Sequence, residues 1–567
     1  MTGRDYHDRT IHSPASVRTS GHTLEWDIKP FTFKVYTDLP AITLPREIDP
    51  LAAETLAALA GPLRSGAGLD VGGLAAVLYY AAGVTRKKTY PGGGEILFRA
   101  APSTGALYQT EVYVAVGEVA GLDPGLYHFC PGDFALRRLR AGDVRRAVAT
   151  AAADESLASR AATVLLTAIY WRNTWKYQAR GYRHLFWDSG TMLANLLAAA
   201  GVLGLAPRVL TGFVDADVNR LLGLDAEREA ALQLVALGPE TTSAPSLGAL
   251  DAIDHPTLPL SSSEVDYPLL REIHAASSLD SADAVRAWRL SAGRDGVGGA
   301  SGATTPAATR GVDSESMVVG SEPDNTGRAR RPTDPGPPGA QLPGRAAAGS
   351  SFEDARRMDP ITLPAARALS GRGLGETIRR RGSTRQFGHA PLTADELATT
   401  LWAAARGFDA DAPPGLVDLY LVVNAVEGVR PGAYFYQPAV HALELLAAGD
   451  FRNRSSYLCL EQPLGGDAAA VIYFLARLDA MLRTFGTRGY RLANLEAGLA
   501  GGRAYLAAYA QGFGASGLTF YDRLVVEFFS PHADGKDAIF VTALGRSAVE
   551  GRATIESKLI LPRRPSG

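Results

Sequence analysis

The chain of 567 residues carries one set of motifs twice, and this repetition limits its possible folds more than any other feature. In the first copy, residues 112–116 read as a strand that leads through a Pro-Gly turn into a second strand ending at Tyr127. In the second copy, residues 419–423 lead through the same kind of turn to Tyr434. Two strands joined by a turn and repeated in this way indicate one folding unit used twice.

A second pair of motifs extends the repeat. Arg180-Gly-Tyr-Arg183 and Arg488-Gly-Tyr-Arg491 lie 308 residues apart, and each opens a long Ala/Leu/Gly-rich segment with helical periodicity. Asp188 and Glu496 occupy the same register. Strands and helices do not alternate steadily in either copy, so we expect an α+β fold. We also expect the two copies to pair as an intrachain pseudo-dimer, because symmetric pairs commonly place sites at their interface.

The two copies are separated by a stretch of different composition. Residues 291–350 are dominated by Gly, Ala, Pro, Ser, Thr, Arg and Asp, with one leucine and no isoleucine or aromatic residue. Such a segment buries too little apolar surface to offset its ordering entropy. The sequence therefore predicts an N-terminal domain over 1–285, a flexible linker over 286–355 and a C-terminal domain over 356–567.

Composition excludes several classes of function. The 57 Lys and Arg residues balance 59 Asp and Glu residues, so no global field favours nucleic acid or an anionic membrane. No signal peptide and no apolar run of about 20 residues is visible, which predicts a cytoplasmic protein. The two cysteines and the scattered histidines lack metal-ligand spacing, so we expect no metal site and place His7, His12 and His22 at the surface.

Two further motifs resemble those of a known family. Arg381-Gly-Ser-Thr-Arg385 resembles the Arg-x-Ser-x-Arg phosphate signature of FMN nitroreductases. Residues 99–109 resemble the Arg-x-x-Pro-Ser-x-Gly-Ala-Leu-Tyr-Pro loop of the SagB/ThcOx-type azoline dehydrogenases, although Gln109 stands where that family usually has Pro. The resemblance covers both copies and excludes only the linker. It implies two fused nitroreductase-like domains, each with a mainly antiparallel central sheet and helices.

The resemblance implies FMN as the cofactor, with one FMN bound between the two copies. The phosphate would be held by Arg381 and Arg385 through charge-assisted bonds and by Ser383 through its hydroxyl. In register, the first copy has Ala58, Ala60 and Pro62, so it lacks this phosphate motif. The first copy would instead supply the loop beside the ribityl chain and ring, formed by Arg99, Pro102, Ser103, Thr104, Gly105 and Leu107.

Three other residues complete the predicted cofactor site. The loop that contains Leu518 and Thr519 is a candidate for a hydrogen-bond donor to the ring nitrogen N5. Arg546 is a candidate for a second phosphate contact, and an exposed arginine on a turn is the alternative interpretation.

Lys176 and Tyr177 resemble the pair to which azoline dehydrogenases assign proton abstraction. A free lysine has a pKa of about 10.4, so a base at this position needs desolvation or a cationic neighbour, for which Arg180 and Arg183 are candidates. In register, the second copy has Thr484 and Phe485. The alternative is a solvated lysine beside a packing tyrosine.

The predicted function is FMN-dependent oxidation of thiazoline and oxazoline rings to thiazoles and oxazoles. The resemblance implies a peptide or carrier-bound substrate made by a partner cyclodehydratase, with oxygen as the terminal acceptor. One alternative is an NAD(P)H-dependent nitro or quinone reductase, which needs the flavin but has no use for Lys176. The other is a degenerate, non-catalytic scaffold subunit of a peptide-modifying complex.

Overall fold

The computed structural model describes residues 1–61, 66–89, 95–246, 248, 250–294 and 359–548. The strands of the N-terminal half are β1 (Ile42–Thr43), β2 (Val84–Thr89), β3 (Glu95–Arg99), β4 (Thr110–Val116), β5 (Gly125–Cys130), β6 (Ala135–Ala141), β7 (Arg160–Ile169), β8 (Arg208–Leu210) and β9 (Glu229–Glu240). Its helices are α1 (Gly3–Arg9), α2 (Pro14–Thr19), α3 (Thr55–Ala60), α4 (Val71–Ala82), α5 (Arg145–Ala151), α6 (Tyr170–Tyr177), α7 (Gly181–Val202), α8 (Asp215–Leu222), α9 (Pro268–Ala276) and α10 (Ala282–Arg294).

The C-terminal half repeats this set in shorter form. Its strands are β10 (Ile361–Thr362), β11 (Asp418–Val423), β12 (Gly432–Gln437), β13 (Ala442–Ala448), β14 (Ala470–Ala476), β15 (Gly514–Gly517) and β16 (Asp537–Gly545). Its helices are α11 (Leu374–Arg380), α12 (Ala394–Ala404), α13 (Arg452–Leu458), α14 (Pro463–Asp467), α15 (Leu478–Phe485), α16 (Gly489–Ala510) and α17 (Asp522–Phe529).

Each half is built on a seven-stranded sheet. The strand orders are β1-β6-β5-β4-β7-β9-β8 and β10-β13-β12-β11-β14-β16-β15, and every neighbouring pair is antiparallel. The two orders correspond strand for strand, which confirms the predicted α+β duplication. The apolar strands β7 and β14 lie inside their sheets and are almost wholly buried.

The two long helices α7 and α16, each of 22 residues, pack against each other and join the halves. They approach closely at two glycines in matching register. A Cβ on Gly190 would lie 2.5 Å from the carbonyl oxygen of Leu495, and one on Gly498 would lie 2.5 Å from that of Trp187. Because no side chain fits there, the repeated glycines allow the two backbones to meet. One continuous apolar cluster spans both halves.

The repeated Arg-Gly-Tyr-Arg motifs join the halves a second time. Arg180 and Arg183 form ion pairs with Asp522 of the other half, at 3.1 and 2.7 Å. Arg488 and Arg491 pair in the same way with Asp215, each at 2.6 Å. Asp215 and Asp522 are the first residues of the matching helices α8 and α17. We call these two buried groups the reciprocal clamps.

The N-terminal segment crosses from one half to the other. Tyr6 of α1 packs edge-on against Tyr182 and against Tyr490, with ring centroids 5.6 and 5.4 Å apart. His7 follows it into the interior and is only 2% exposed, so the predicted surface position of His7 is wrong. The reason is that α1 packs on both long helices. This tertiary contact is not indicated by the polar composition of the N-terminus.

The structure also corrects the predicted beginning of the linker. Helix α10 extends to Arg294, into the range 286–355 that the composition assigns to a linker. Trp288 is buried and Arg289 Nε donates to Asp411 Oδ2 of the C-terminal half at 3.1 Å. These contacts anchor the helix. The remainder of the predicted linker, residues 295–355, lies outside the described residues.

Strands β2 and β3 form a separate two-stranded hairpin in the N-terminal half. Within the described part of the C-terminal half, no strand pair corresponds to it. None of the helices in the described ranges combines the length and apolar character that a bilayer crossing requires.

Candidate functional site

The loop that follows the hairpin is fixed by one carboxylate of the long helix α7. Asp188 accepts hydrogen bonds from the Ser103 hydroxyl at 2.5 Å, from the Thr104 hydroxyl at 2.6 Å and from Gln109 Nε2 at 2.6 Å. The Thr104 backbone N–H also donates to it. Burial raises the pKa of Asp188 to about 6, although the bonds from Ser103 and Thr104 act in the opposite direction. Gln109, where the family usually has Pro, thus shares the Asp188 carboxylate with Ser103 and Thr104.

The loop backbone adopts conformations that only such anchoring sustains. Gly105, Ala106 and Tyr108 have φ values of 65°, 54° and 52°, in the left-handed region that disfavours residues other than glycine. The carbonyl of Pro102 accepts from Thr191 of α7 at 2.9 Å, and the Leu107 side chain is buried. The predicted loop residues therefore form one rigid element.

The C-terminal half has a reduced version of this arrangement. Glu496, in register with Asp188, accepts from the backbone N–H groups of Gly415 and Leu416, both at 2.8 Å. Burial raises the pKa of Glu496 to about 7, while those N–H groups act to lower it. No hydroxyl side chain corresponds to Ser103 or Thr104 there, so this loop keeps the anchor but not the polar surface.

The Lys176–Tyr177 pair ends helix α6 directly beside the N-terminal loop. A Cβ built on Gly105 would lie 3.1 Å from the Tyr177 hydroxyl. Lys176 Nζ lies 5.3 Å from the centre of the Tyr177 ring. That ring also meets His184 edge-on, with centroids 4.4 Å apart, and His184 stacks on Trp187. His184 thus borders the candidate site. No sequence motif marks it, because it stands directly after Arg183 within the long helix.

The phosphate motif of the C-terminal half meets the beginning of the same loop. The buried Arg381 donates through Nε to the carbonyl of Ala100 at 2.9 Å and through Nη2 to that of Arg99 at 3.1 Å. Arg99 is itself buried and holds the loop from behind, with its guanidinium against Phe33 and Tyr108. The structure therefore brings the two predicted cofactor-binding motifs together across the junction of the halves.

Hydroxyl groups surround Arg381 on the C-terminal side. The Ser383 hydroxyl lies 3.4 Å from the Tyr505 hydroxyl, which accepts from the Gly517 backbone N–H. Leu518 follows Gly517 and is buried, whereas the half-buried Thr519 accepts from Gln462 at 3.0 Å. Tyr505 of α16 thus links the phosphate motif to the loop predicted beside the flavin ring.

Arg385 is the member of the motif that acts on the candidate base. The pKa of Lys176 is lowered first by burial and then by the positive charges of Arg385 and Lys29. Burial raises the pKa of Tyr177, and Arg385 opposes this shift. Arg180 and Arg183, which the sequence suggested as the cationic neighbours of Lys176, are instead bound to Asp522 in a reciprocal clamp. That suggestion is wrong because their side chains turn toward the other half.

Arg546 lies beside the residues that follow the phosphate motif, where its carbonyl accepts from the Gly388 N–H at 2.8 Å. Its Nη2 donates to both carboxylate oxygens of Glu396, at 2.8 Å each. Glu396 is the residue that completes the N-terminal capping box of α12 with Thr393. Arg546 is therefore half-buried and paired, unlike the exposed arginine of the alternative interpretation, and its phosphate contact stays a prediction.

The sequences of both halves match the same protein family. The nitroreductase family matches residues 70–238 and again residues 378–544, which together make more than half of the chain. The chain belongs to the nitroreductase family. The double match confirms the predicted tandem of two nitroreductase-like domains.

Three curated relatives each match between 23% and 30% of the chain. The protein MJ1384 of Methanocaldococcus jannaschii, named for a nitroreductase, is 30% identical over 166 residues, which cover 29% of this chain and 78% of the relative. The trifolitoxin-processing protein TfxB of Rhizobium leguminosarum is 30% identical over 177 residues, or 30% of this chain and 47% of TfxB. The microcin B17-processing protein McbC of Escherichia coli is 28% identical over 137 residues, or 23% of this chain and 50% of McbC. This tandem nitroreductase therefore spans about half the length of the two peptide-processing relatives.

A crystal structure from Anabaena variabilis, described as that of a nitroreductase, matches the whole tandem. It is 25% identical, covers 96% of this chain and 99% of its own, and superposes with a TM-score of 0.70. The arrangement of two halves is therefore shared with another nitroreductase.

The junction of the two halves suits a phosphate-bearing cofactor. Arg381 and Arg385 supply positive charge, and Ser383, Tyr505 and Thr384 supply hydroxyls. In the described part of the chain, no Asp or Glu side chain forms a hydrogen bond with either arginine. Within the same residues, no cluster of three or more His, Cys, Asp or Glu side chains has the arrangement of a metal site.

Proposed function

We propose that this tandem nitroreductase is an FMN-dependent dehydrogenase that oxidises thiazoline and oxazoline rings of a peptide or carrier-bound substrate to thiazoles and oxazoles. The observation that carries the proposal is the position of Lys176 and Tyr177. These two side chains of the N-terminal half lie beside the Gly105 loop and within the electrostatic influence of Arg385 of the C-terminal half.

Lys176 has the properties that a base for this reaction needs. Aromatising an azoline breaks the C–H bond next to the carbonyl, and the released proton passes to a base while a hydride leaves the adjacent ring carbon. Lys176 is half-buried, and burial together with Arg385 and Lys29 lowers the pKa of its amine. A lowered pKa increases the fraction of neutral amine, which is the form that accepts the proton at Nζ.

The cofactor is assigned to the junction of the halves. When bound, FMN supplies the two-electron acceptor for the hydride. Its phosphate would lie at Ser383 and Arg385, beside Arg381, which binds the carbonyls of Ala100 and Arg99. Its ribityl chain and ring would lie along Ser103, Thr104 and Gly105. The tight anchoring by Asp188 keeps this loop in place before any ligand binds.

The relatives support a peptide substrate. TfxB and McbC carry names that refer to the processing of trifolitoxin and of microcin B17. A substrate of this kind would be made by a cyclodehydratase, which we propose as a partner, and oxygen as the terminal acceptor belongs to the same proposal.

The proposal is tested by Lys176→Ala, assayed for oxidation of an azoline-containing peptide with saturating FMN. We expect kcat to fall by about 10²- to 10⁴-fold, the contribution usual for a positioned general base. The matched control is Thr484→Ala, at the corresponding position of the C-terminal half, which should keep wild-type activity. If Lys176→Ala still oxidised azolines with FMN bound, Lys176 would not be the base.

The same assay separates the alternatives. An NAD(P)H-dependent nitro or quinone reductase would be identified by wild-type reduction of those substrates without azoline oxidation, and Lys176→Ala would leave its rate unchanged. This alternative is favoured by the family match alone. A scaffold subunit would be identified by a well-folded protein that neither binds FMN nor oxidises azolines.

A further inference from the structure

The hairpin β2–β3 places a further cation, Arg86, against the phosphate motif. A Cβ built on Gly382, in the middle of the motif, would lie 3.4 Å from both Nη1 and Nη2 of Arg86. Arg86 belongs to the N-terminal half and Gly382 to the C-terminal half. Because glycine leaves this approach open, the guanidinium lies over the backbone of the motif.

The surroundings of Arg86 are positive and polar. Burial lowers the pKa of Arg381, and the positive charge of Arg86 acts in the same direction. The Tyr509 hydroxyl also lies 3.4 Å from the Gly382 Cβ position, and Thr384 Oγ1 lies 3.3 Å from that hydroxyl. Two like charges held together among hydroxyl groups form a site that an anion stabilises.

Within the described ranges, no carboxylate neutralises Arg86. Among the described residues, Arg86 forms no ion pair, and its buried Nε has no hydrogen-bond partner. Its neighbour Lys87, by contrast, is paired with Glu95 across the hairpin. The guanidinium of Arg86 is fixed by its position over the Phe98 ring, 5.2 Å from the ring centre. An oriented, unpaired arginine is typical of a phosphate ligand.

We propose that Arg86 is a phosphate-binding residue, supplied by the hairpin of the N-terminal half to the FMN site of the C-terminal half. The ligand it recognises is the phosphate monoester of the cofactor, so this inference rests on the FMN assignment made above but not on the oxidation of azolines. It also explains the asymmetry of the hairpin. A symmetry-related second phosphate site would need the motif from the N-terminal half and the hairpin from the C-terminal half. The N-terminal half lacks the motif, and the described C-terminal half lacks the hairpin.

The experiment compares the affinities of apoprotein for FMN and for riboflavin, which lacks the phosphate, by fluorescence quenching. We expect Arg86→Gln to weaken FMN binding by about 10- to 100-fold, the range for losing one charge-assisted hydrogen-bond donor, and to leave riboflavin binding unchanged. Raising the salt concentration should reduce the difference between wild type and variant.

Lys87→Gln is the matched control, because it removes a charge from the adjacent residue of the same strand. It should bind both flavins as the wild type does. Unchanged FMN affinity in Arg86→Gln would overturn the inference. Equal losses for FMN and riboflavin would overturn it as well, since they would show a general distortion of the hairpin. Neither result depends on whether azolines are oxidised, so the outcome is distinct from that of the Lys176→Ala assay.

Discussion

The N-terminal and C-terminal halves share a fold but differ in the side chains that they place at their junction. Their sheets have the same strand order, their central helices have the same length, and each sends two arginines to an aspartate of the other. At the junction they differ. The N-terminal half has the hydroxyl-rich loop and the Lys176–Tyr177 pair, whereas the corresponding residues of the C-terminal half are a Pro-Gly loop, Thr484 and Phe485.

Under the proposed function, the difference separates features required for assembly from features required for chemistry. The glycine crossing and the reciprocal clamps, which join the halves, are built from matching residues of both halves. The features that we propose to face a ligand are each present in one half only. In a homodimer one sequence must supply both sets to both sites, whereas a fused pair can lose one set from each half without losing the site. The following predictions test this division, beginning with the largest expected effect.

The reciprocal clamps should be equally important to stability. Replacing Asp522 with Ala leaves Arg180 and Arg183 buried without a counter-charge, and we expect the free energy of unfolding to fall by about 3–5 kcal/mol. Asp215→Ala should cost a similar amount, because Arg488 and Arg491 make the same contacts. Chemical denaturation measures both. A large loss in only one variant would show that the clamps are not equivalent.

The pH dependence of the clamps follows from their pKa shifts. Burial alone would raise the pKa of Asp215, but Arg488 and Arg491 outweigh it and lower the pKa to about 2. The stabilisation is therefore complete above the unfolded pKa of about 3.9 and is lost as the pH falls toward the folded value. Asp479→Ala is a control, since its pair with Arg4 is exposed and should contribute at most about 1 kcal/mol.

The glycine crossing of α7 and α16 should show a smaller, symmetric effect. Gly190→Ala and Gly498→Ala each place a methyl group against a backbone carbonyl of the other helix, and we expect each to destabilise the protein by about 1–3 kcal/mol. Gly72→Ala is the matched helical control, because its Cβ would meet only Asp70 Oδ1 at 3.4 Å. It should be neutral or slightly stabilising. Thermal unfolding distinguishes these outcomes, and a neutral Gly498→Ala would contradict the close crossing.

Arg385 should couple the two halves electrostatically. Because its charge helps to lower the pKa of Lys176, Arg385→Gln should raise that pKa. The increase of kcat/KM with pH should then move to higher pH at saturating FMN, and the effect should be small because Arg385 is exposed and salt screens it. Arg380→Gln, at an arginine paired with Glu376, should leave the profile in place. An unchanged pH profile of kcat/KM in Arg385→Gln would show that Arg385 does not influence the pKa of Lys176.

The repeated features were the ones that the sequence could predict. Duplicated strands, turns and Arg-Gly-Tyr-Arg motifs recur in the same order, so the two-domain α+β fold could be inferred. The family resemblance implied the pairing of the phosphate motif with the Pro-Ser loop. The partners of the Arg-Gly-Tyr-Arg motifs could not be inferred. Asp522 and Asp215 stand far from their arginines in the chain, and each is an ordinary acidic residue at the beginning of a short helix.

Single features that match no motif were also hard to recognise. Arg86 lies in a basic run that resembles a solvated strand, and only the fold brings it to Gly382. Trp288 lies at the edge of a segment whose average composition indicates a linker, yet the helix around it packs on the C-terminal half. Composition describes a window as a whole, whereas burial is decided by single side chains.

The central claim is that two incomplete halves build one site. The most direct test is to release the flavin from purified, fully reconstituted protein and count it against polypeptide. The account predicts one FMN for each chain. Two FMN molecules per chain would show that each half keeps a complete site, and a folded chain that binds none would show that the junction is not a flavin site.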